Sequence, residues 1–170
     1  MSIEELKEEE KIRLELDYET KKEEKIKFLE SEDNAAMVLA TSHNDRVIAR
    51  NVLIVSSGLD IYFGTWEHSR KCMQIRENPR VALCKDDVQI EGLAEILGDL
   101  LDEKNKEYAD MLRNRFPSSF EYWEDKPGMV IVRVKPELIV SGITIIDDQP
   151  YLEFLDLENE IAYAERWAYY

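Results

Sequence analysis

The sequence predicts a mainly β domain with peripheral helices, its antiparallel sheet closed or split as a barrel. Strand-like runs follow one another through short turns at His43-Asn44-Asp45-Arg46, Ser56-Ser57-Gly58 and Asp86-Asp87, with helices inserted late, which is a hairpin pattern and not an alternating βαβ one. At least six such runs occur in this order, and barrel closure is how an antiparallel sheet of that size removes its exposed edges. At 170 residues, with no repeat and no long linker, the chain is expected to be a single domain.

Residues 1–30 are dominated by Glu and Lys with loosely spaced Ile3, Leu6, Ile12, Leu16, Ile26 and Leu29, and are read as an N-terminal helical extension to a barrel domain over 31–170. Its last helix, from about Thr20 to Glu30, is expected to dock, and the stretch before it to form an arm against a partner subunit. Ala36–Ala40 is a short apolar strand, and the β-branched run Val47–Ser56 returns from the turn at Asn44-Asp45 as a second. Leu59–Thr65 is a third. A short helix then begins at Ser69, a good N-cap residue, and stops at Asn78-Pro79. Strands over Val81–Lys85 and Val88–Leu97 precede Gly98-Asp99, which is expected to open a helix carrying Leu101, Tyr108, Leu112 and Phe116 at helical spacing. Pro117 ends it, and Ser118–Trp123 adds a further turn. Met129–Val134 and Leu138–Ile146 read as two strands, and Tyr151–Trp167 as a last hairpin around Glu158-Asn159.

Composition narrows the function. The net charge of −15 opposes duplex nucleic acid as the main partner, since phosphate contacts need a basic surface. No apolar run reaches the roughly 18 residues of a membrane span, and residues 1–15 are too charged for a signal peptide, so a cytoplasmic protein is expected. Cys72 and Cys84 both sit in apolar patterns and read as reduced core cysteines. With only His43 and His68 available, no zinc-type cluster is expected, and neither a phosphate-binding nucleotide loop nor a Ser-His-Asp order is present.

The most informative stretch is Thr65 to Pro79. Arg70 and Lys71 occupy the first turn of its helix, where the helix dipole favours negative charge. Breaks of a local rule tend to sit at functional sites, and a bound anion repairs this one, held by free backbone N–H groups, the Ser69 hydroxyl and the two cations. Residues 46–80 set Arg46, Arg50, Arg70, Lys71, Arg76 and Arg80 against Asp60, Glu67 and Glu77, a local positive excess inside an acidic chain. Phosphate fits best.

From about Ala36 to Val140 the chain resembles the pyridoxamine 5′-phosphate oxidase-like flavoproteins, the FMN-binding split barrels. Arg50-Asn51-Val52-Leu53 is similar to the family's Arg-x-Val-Leu segment, Phe63-Gly64-Thr65 to its aromatic-x-Thr, and Ser69-Arg70-Lys71 to its Ser-Arg-Lys at the same spacing. Asn78-Pro79 and Ile90-Glu91-Gly92 follow in family order. The resemblance implies an antiparallel split β-barrel and a homodimer with FMN at the subunit interface. Arg50 would reach the phosphate or the pyrimidine end of the flavin, and the backbone of Asn51, Val52 and Leu53 would follow the isoalloxazine edge. Gly64-Thr65 would close the phosphate end, where Thr65 and Ser69 donate hydroxyls and Arg70 and Lys71 neutralise charge.

The chain also departs from the family. Val55 stands where the oxidase has a lysine, and Asp87 where it has a glutamine; Gln89, on the same strand face, is a candidate to substitute, and which of Asp87 and Gln89 would contact the flavin is left open by the sequence. The oxidase's Arg-rich C-terminal substrate segment is reduced to Arg166 beside Trp167, among Glu153, Asp156, Glu158, Glu160 and Glu165. The resemblance therefore implies a retained cofactor cradle and a lost oxidase substrate site. The expected function is an FMN-dependent oxidoreductase acting through the flavin N5 on an unidentified small molecule or electron donor. The alternatives are a flavin, deazaflavin or haem holder without turnover, for which His43 or His68 would ligate haem, and a structural dimer with an empty cradle. Trp66 and Trp123 are candidates for ring stacking and Tyr122-Trp123 for packing over the barrel mouth. His68 is read as a surface loop residue, and Glu91 as structural beside Gly92.

Overall fold

A computed structural model describes residues 13–166. Ile3, Leu6 and Ile12, and the C-terminal Trp167, Ala168, Tyr169 and Tyr170, lie outside the described residues.

Ten strands and four helices follow the order β1 (Arg13–Leu16), α1 (Tyr18–Glu30), β2 (Ala36–His43), β3 (Arg46–Leu53), β4 (Val55–Ser57), β5 (Asp60–Trp66), α2 (Arg70–Glu77), β6 (Arg80–Lys85), β7 (Val88–Asp99), α3 (Lys106–Arg115), α4 (Pro117–Glu124), β8 (Met129–Ile146), β9 (Gln149–Asp156) and β10 (Ile161–Arg166). All pairings are antiparallel, in the order β1-β10-β9-β8-β7-β6-β2-β3. On its far edge β8 pairs with β5 through Met129–Val134 and with β9 through Leu138–Ile146, so one strand joins the barrel to the C-terminal hairpin. The mainly β split barrel of the sequence reading is the architecture found.

The barrel splits where the expected single strand Val47–Ser56 breaks. β3 pairs with β2, whereas β4 pairs with β5, and Ile54 between them is fully buried with its N–H donating to Ala35 O at 2.9 Å. The outer edge of β3 consequently has no strand partner among the described residues. Inside the barrel Met37, Leu39, Val52, Ile61, Phe63, Leu83 and Val132 form the main core, into which α1 lowers Leu29 and α2 lowers Cys72 and Ile75. A second core under α3 and α4 gathers Val55, Tyr62, Leu112, Phe120 and Ile131.

Besides the break in Val47–Ser56, three further elements differ from what the sequence predicts. Arg13–Leu16 is a strand on β10 rather than helix, because Leu14 and Leu16 alternate with Arg13 and Glu15 at a period of two. The chain does not turn helical at Gly98-Asp99: β7 runs on to Asp99 through a register shift at Ile96/Gly98, with Gly98 at φ +100°, and α3 starts only at Lys106. The two strands expected over Met129–Ile146 are one, since Pro136 sits opposite Gly92 at a second register shift, where its missing N–H breaks no regular ladder. Cys84 is also exposed on β6, not a core cysteine, whereas Cys72 is buried. No described helix is long and apolar enough to cross a membrane.

Gly92 has a packing reason: a Cβ there would lie 2.3 Å from the backbone oxygen of Lys135. Gly92→Ala is therefore expected to lower stability by about 1–3 kcal/mol, the range of overpacked cores, in urea titration. Gly64→Ala, whose Cβ would meet Trp123 at an ordinary 3.5 Å, is the control and should shift the midpoint little.

Candidate functional site

The site forms where the end of β5 passes into α2. Cys72 and Ile75 hold α2 against the barrel core, which fixes its N-terminus beside Thr65. Ser69 caps the helix with its Oγ accepting the Cys72 N–H at 3.4 Å, and its own N–H donates to Trp66 O at 3.0 Å. The N–H groups of the first helical turn point out with no intrahelical partner, as at any helix start. The loop before the helix is tied back by Arg76, which donates to Glu67 O at 3.1 Å and pairs with the Glu67 carboxylate at 3.2 Å.

Thr65 is nearly buried at the mouth, and Lys71 Nζ donates to its Oγ1 at 2.9 Å, with Ser69 Oγ 3.5 Å from the same oxygen. Arg50 reaches this region from the inner face of β3, which it shares with Ile48 and buried Val52. Its guanidinium donates to Thr41 Oγ1 at 2.6 Å and to Leu39 O at 3.4 Å. Thr41, 1% exposed, donates in turn to Gln74 Oε1 at 2.6 Å, and Gln74 Nε2 donates to Arg46 O at 3.1 Å. A buried hydrogen-bonded chain thus joins β3, β2 and α2 and sets the position of Arg50.

The electrostatics of this corner are one-sided. Burial, and then the charge of Arg50, hold the Lys71 ammonium below the ordinary lysine range. Burial, and then Arg70, depress Arg50 in the same way. Among the described residues no carboxylate lies within ion-pairing distance of Arg50, Arg70 or Lys71, although the chain as a whole is strongly acidic. Two half-buried cations, Arg50 and Lys71, and the exposed Arg70 face two hydroxyls and an open helix start, an arrangement that can receive a multiply charged anion.

Arg50, Thr65, Ser69, Arg70 and Lys71 are thus brought together, and the backbone of Asn51, Val52 and Leu53 runs beside them along the free edge of β3. Gly64 lies next to Thr65 but faces the Trp123 ring, on the opposite side of β5. Trp123 accordingly belongs to the core under α4, while Tyr122 is exposed and Trp66 partly so. Gln89 stands apart. Asn51, Val38, Cys84, Gln89 and Val140 are register partners across five strands on the outer face of the sheet, the reverse of the face carrying Arg50. Asp87 is packed instead against the backbone of Gly142. Val55 is buried beneath α3 and leaves no opening for a cation at its position. His68 is exposed in the loop before α2 and Glu91 is exposed on β7. No cluster of His, Cys, Asp or Glu suited to a metal occurs among the described residues.

Thr41 and Gln74 were not singled out by the sequence. The available signal was weak: one amide between Cys72, Met73 and Ile75 on a short helix, and one hydroxyl in an apolar strand.

A family model described as pyridoxamine 5′-phosphate oxidase matches residues 22–141, well over half of the chain. Among solved structures, the General Stress Protein 26 from Bacillus anthracis is 26% identical, covering 79% of this chain and 97% of its own, with a TM-score of 0.55. A FAD-binding protein from Mesorhizobium loti is 21% identical over 68% of this chain and 89% of its own, also with a TM-score of 0.55. A haem storage protein from Vibrio cholerae is 14% identical over 72% of this chain and 92% of its own, TM-score 0.55. The last two speak to the fold alone. No curated protein sequence matches the chain.

Breaking the buried chain at its centre tests its role. Thr41→Val leaves Gln74 Oε1 without its hydroxyl donor and Arg50 with only the longer bond to Leu39 O, and should lower stability by about 1–3 kcal/mol, read from the urea midpoint.

Proposed function

This chain belongs to the pyridoxamine 5′-phosphate oxidase family, and we propose that its cation cradle binds the phosphate of FMN for an oxidoreductase reaction on a small molecule. The observation that carries this reading is the trio Arg50, Arg70 and Lys71, which has no carboxylate partner among the described residues and stands at the start of α2. A dianionic phosphate would receive the Thr65 and Ser69 hydroxyls, the first-turn N–H groups and the three cations, offsetting the burial and the repulsion that depress Lys71 and Arg50. The flavin ring would lie along the free edge of β3, with the backbone of Asn51, Val52 and Leu53 available to its polar rim.

When bound, the flavin supplies two-electron redox chemistry, and the chain's own residues orient it and shield its ring from water. A homodimer completes the proposal. The outer face carrying Asn51, Val38, Cys84 and Gln89 continues in register through Val140, Phe154 and Tyr163, a broad and partly apolar surface for a second copy to cover. Gln89 would then meet the flavin held by the partner rather than that of its own protomer. The family oxidase's substrate is not part of the proposal: Val55 is buried, and Arg166 is engaged by Gln149 on an acidic hairpin.

A flavin holder without turnover is the second reading. Among the described residues no carboxylate or histidine is hydrogen-bonded into the cradle, so only the flavin would bring chemistry to it. Reduction of bound flavin by NADH or NADPH separates enzyme from holder, and a Soret band on adding haem would favour haem instead.

Replacing Arg70 and Lys71 together by Ala should leave the circular dichroism spectrum intact and weaken FMN binding by about a hundredfold or more, from the loss of two charge-assisted contacts; unchanged affinity would remove the assignment. A pH series gives a second check. Bound phosphate raises the depressed Lys71 pKa, so FMN binding takes up a proton in the alkaline range, and affinity should fall as pH rises toward the ordinary lysine value. Lys71→Met should lose that alkaline decline. In the ligand-free protein the sign reverses: unfolding takes up the proton, and the Lys71 contribution to stability improves as pH rises through its lowered pKa.

A further inference from the structure

The cradle does not end at Arg70. A groove of about 590 Å³ continues from it between α2 and the tip of the β2–β3 hairpin, lined by Arg46, Ile48, Arg70, Met73 and Gln74 among others. Its size is that of a site for a nucleotide-sized ligand. Two features set its chemistry. Arg46 and Arg70 face it without an ion pair among the described residues, Arg76 on the same rim is held by Glu67, and Glu77 is the one carboxylate in the lining, so the groove carries a net positive charge. Met73, 51% exposed, and half-buried Ile48 give it an apolar wall on which a planar ring can lie.

Arg70 is common to groove and cradle, and Gln74 links the two through Thr41 to Arg50. A group entering the groove would therefore be joined to a ligand in the cradle at its phosphate end, not at its ring. Building on the FMN-phosphate reading above, we infer that this groove is a subsite for the adenylate half of a flavin dinucleotide, so that the protein accepts FAD as well as FMN. Arg70 lies between the two phosphates of the pyrophosphate, Arg46 neutralises the distal one, and the adenine rests against Met73 and Ile48.

The test compares FMN, FAD and AMP binding to the full-length protein and to Arg46→Ala and Met73→Glu, both surface changes whose folding is checked by circular dichroism. The inference expects FAD to bind at least as tightly as FMN. Each variant should weaken FAD by about tenfold or more while FMN stays within about twofold, and AMP should compete with FAD at the groove. FMN binding with FAD excluded, or FAD binding that neither variant changes, would overturn the subsite and leave the cradle standing. Variants that weaken both flavins equally would overturn it too. Failure of both flavins to bind the unaltered protein would overturn the subsite together with the cradle.

Discussion

The site rests on repulsion that the fold does not relieve. Arg50, Arg70 and Lys71 come from two elements and face one corner, where burial, and then a neighbouring positive charge, make the charges of Arg50 and Lys71 costly. A chain with a net charge of −15 has carboxylates to spare, yet none among the described residues is placed within ion-pairing distance of these three. A ligand that supplies negative charge there therefore binds with the whole of that unfavourable energy to draw on.

Holding such a corner open requires a stiff frame, and the split barrel provides it from two sides. α2 is seated in the main core by Cys72 and Ile75, so its N-terminus cannot retreat from Thr65. Among the described residues β3 pairs with β2 alone, but the chain from Arg50 through Thr41 and Gln74 to Arg46 O crosses from strand to strand to helix and fixes the guanidinium. The same break at Ile54 that splits the barrel leaves the edge of β3 free beside the cations. Architecture and site are consequences of one switch of strand partner. Small departures at the rim, such as Val55 turned into the α3 core, then change what the site can accept without disturbing the cradle.

Much of this was legible because the signals were local. Ser69 and Asn78-Pro79 mark both ends of α2, Asn44-Asp45 adopt the positive φ values of a tight hairpin turn, and the alternation of β6 runs in step with its burial. The misreadings came where tertiary pairing overrides a local breaker. Pro136 is accommodated because its partner is Gly92 at a register shift, and Gly98 bends a strand instead of ending it. The cations of the cradle were visible in sequence through their conflict with the helix dipole, whereas Thr41 and Gln74 were not, since a buried hydrogen bond between residues 33 apart leaves no local pattern. The placement of Gln89 on the face opposite Arg50 likewise depends on register across four strands, which alternation within one strand cannot reveal.

The most direct test of this account is the affinity of the protein for FMN against riboflavin, which has the same ring but no phosphate, measured by fluorescence quenching at low and high salt. Three cations waiting for a phosphate predict FMN tighter by about a hundredfold or more at low salt, with the preference narrowing as salt screens the charges. Equal affinity for the two flavins at all salt concentrations would contradict it, and would mean that the cations at the start of α2 serve some other anion.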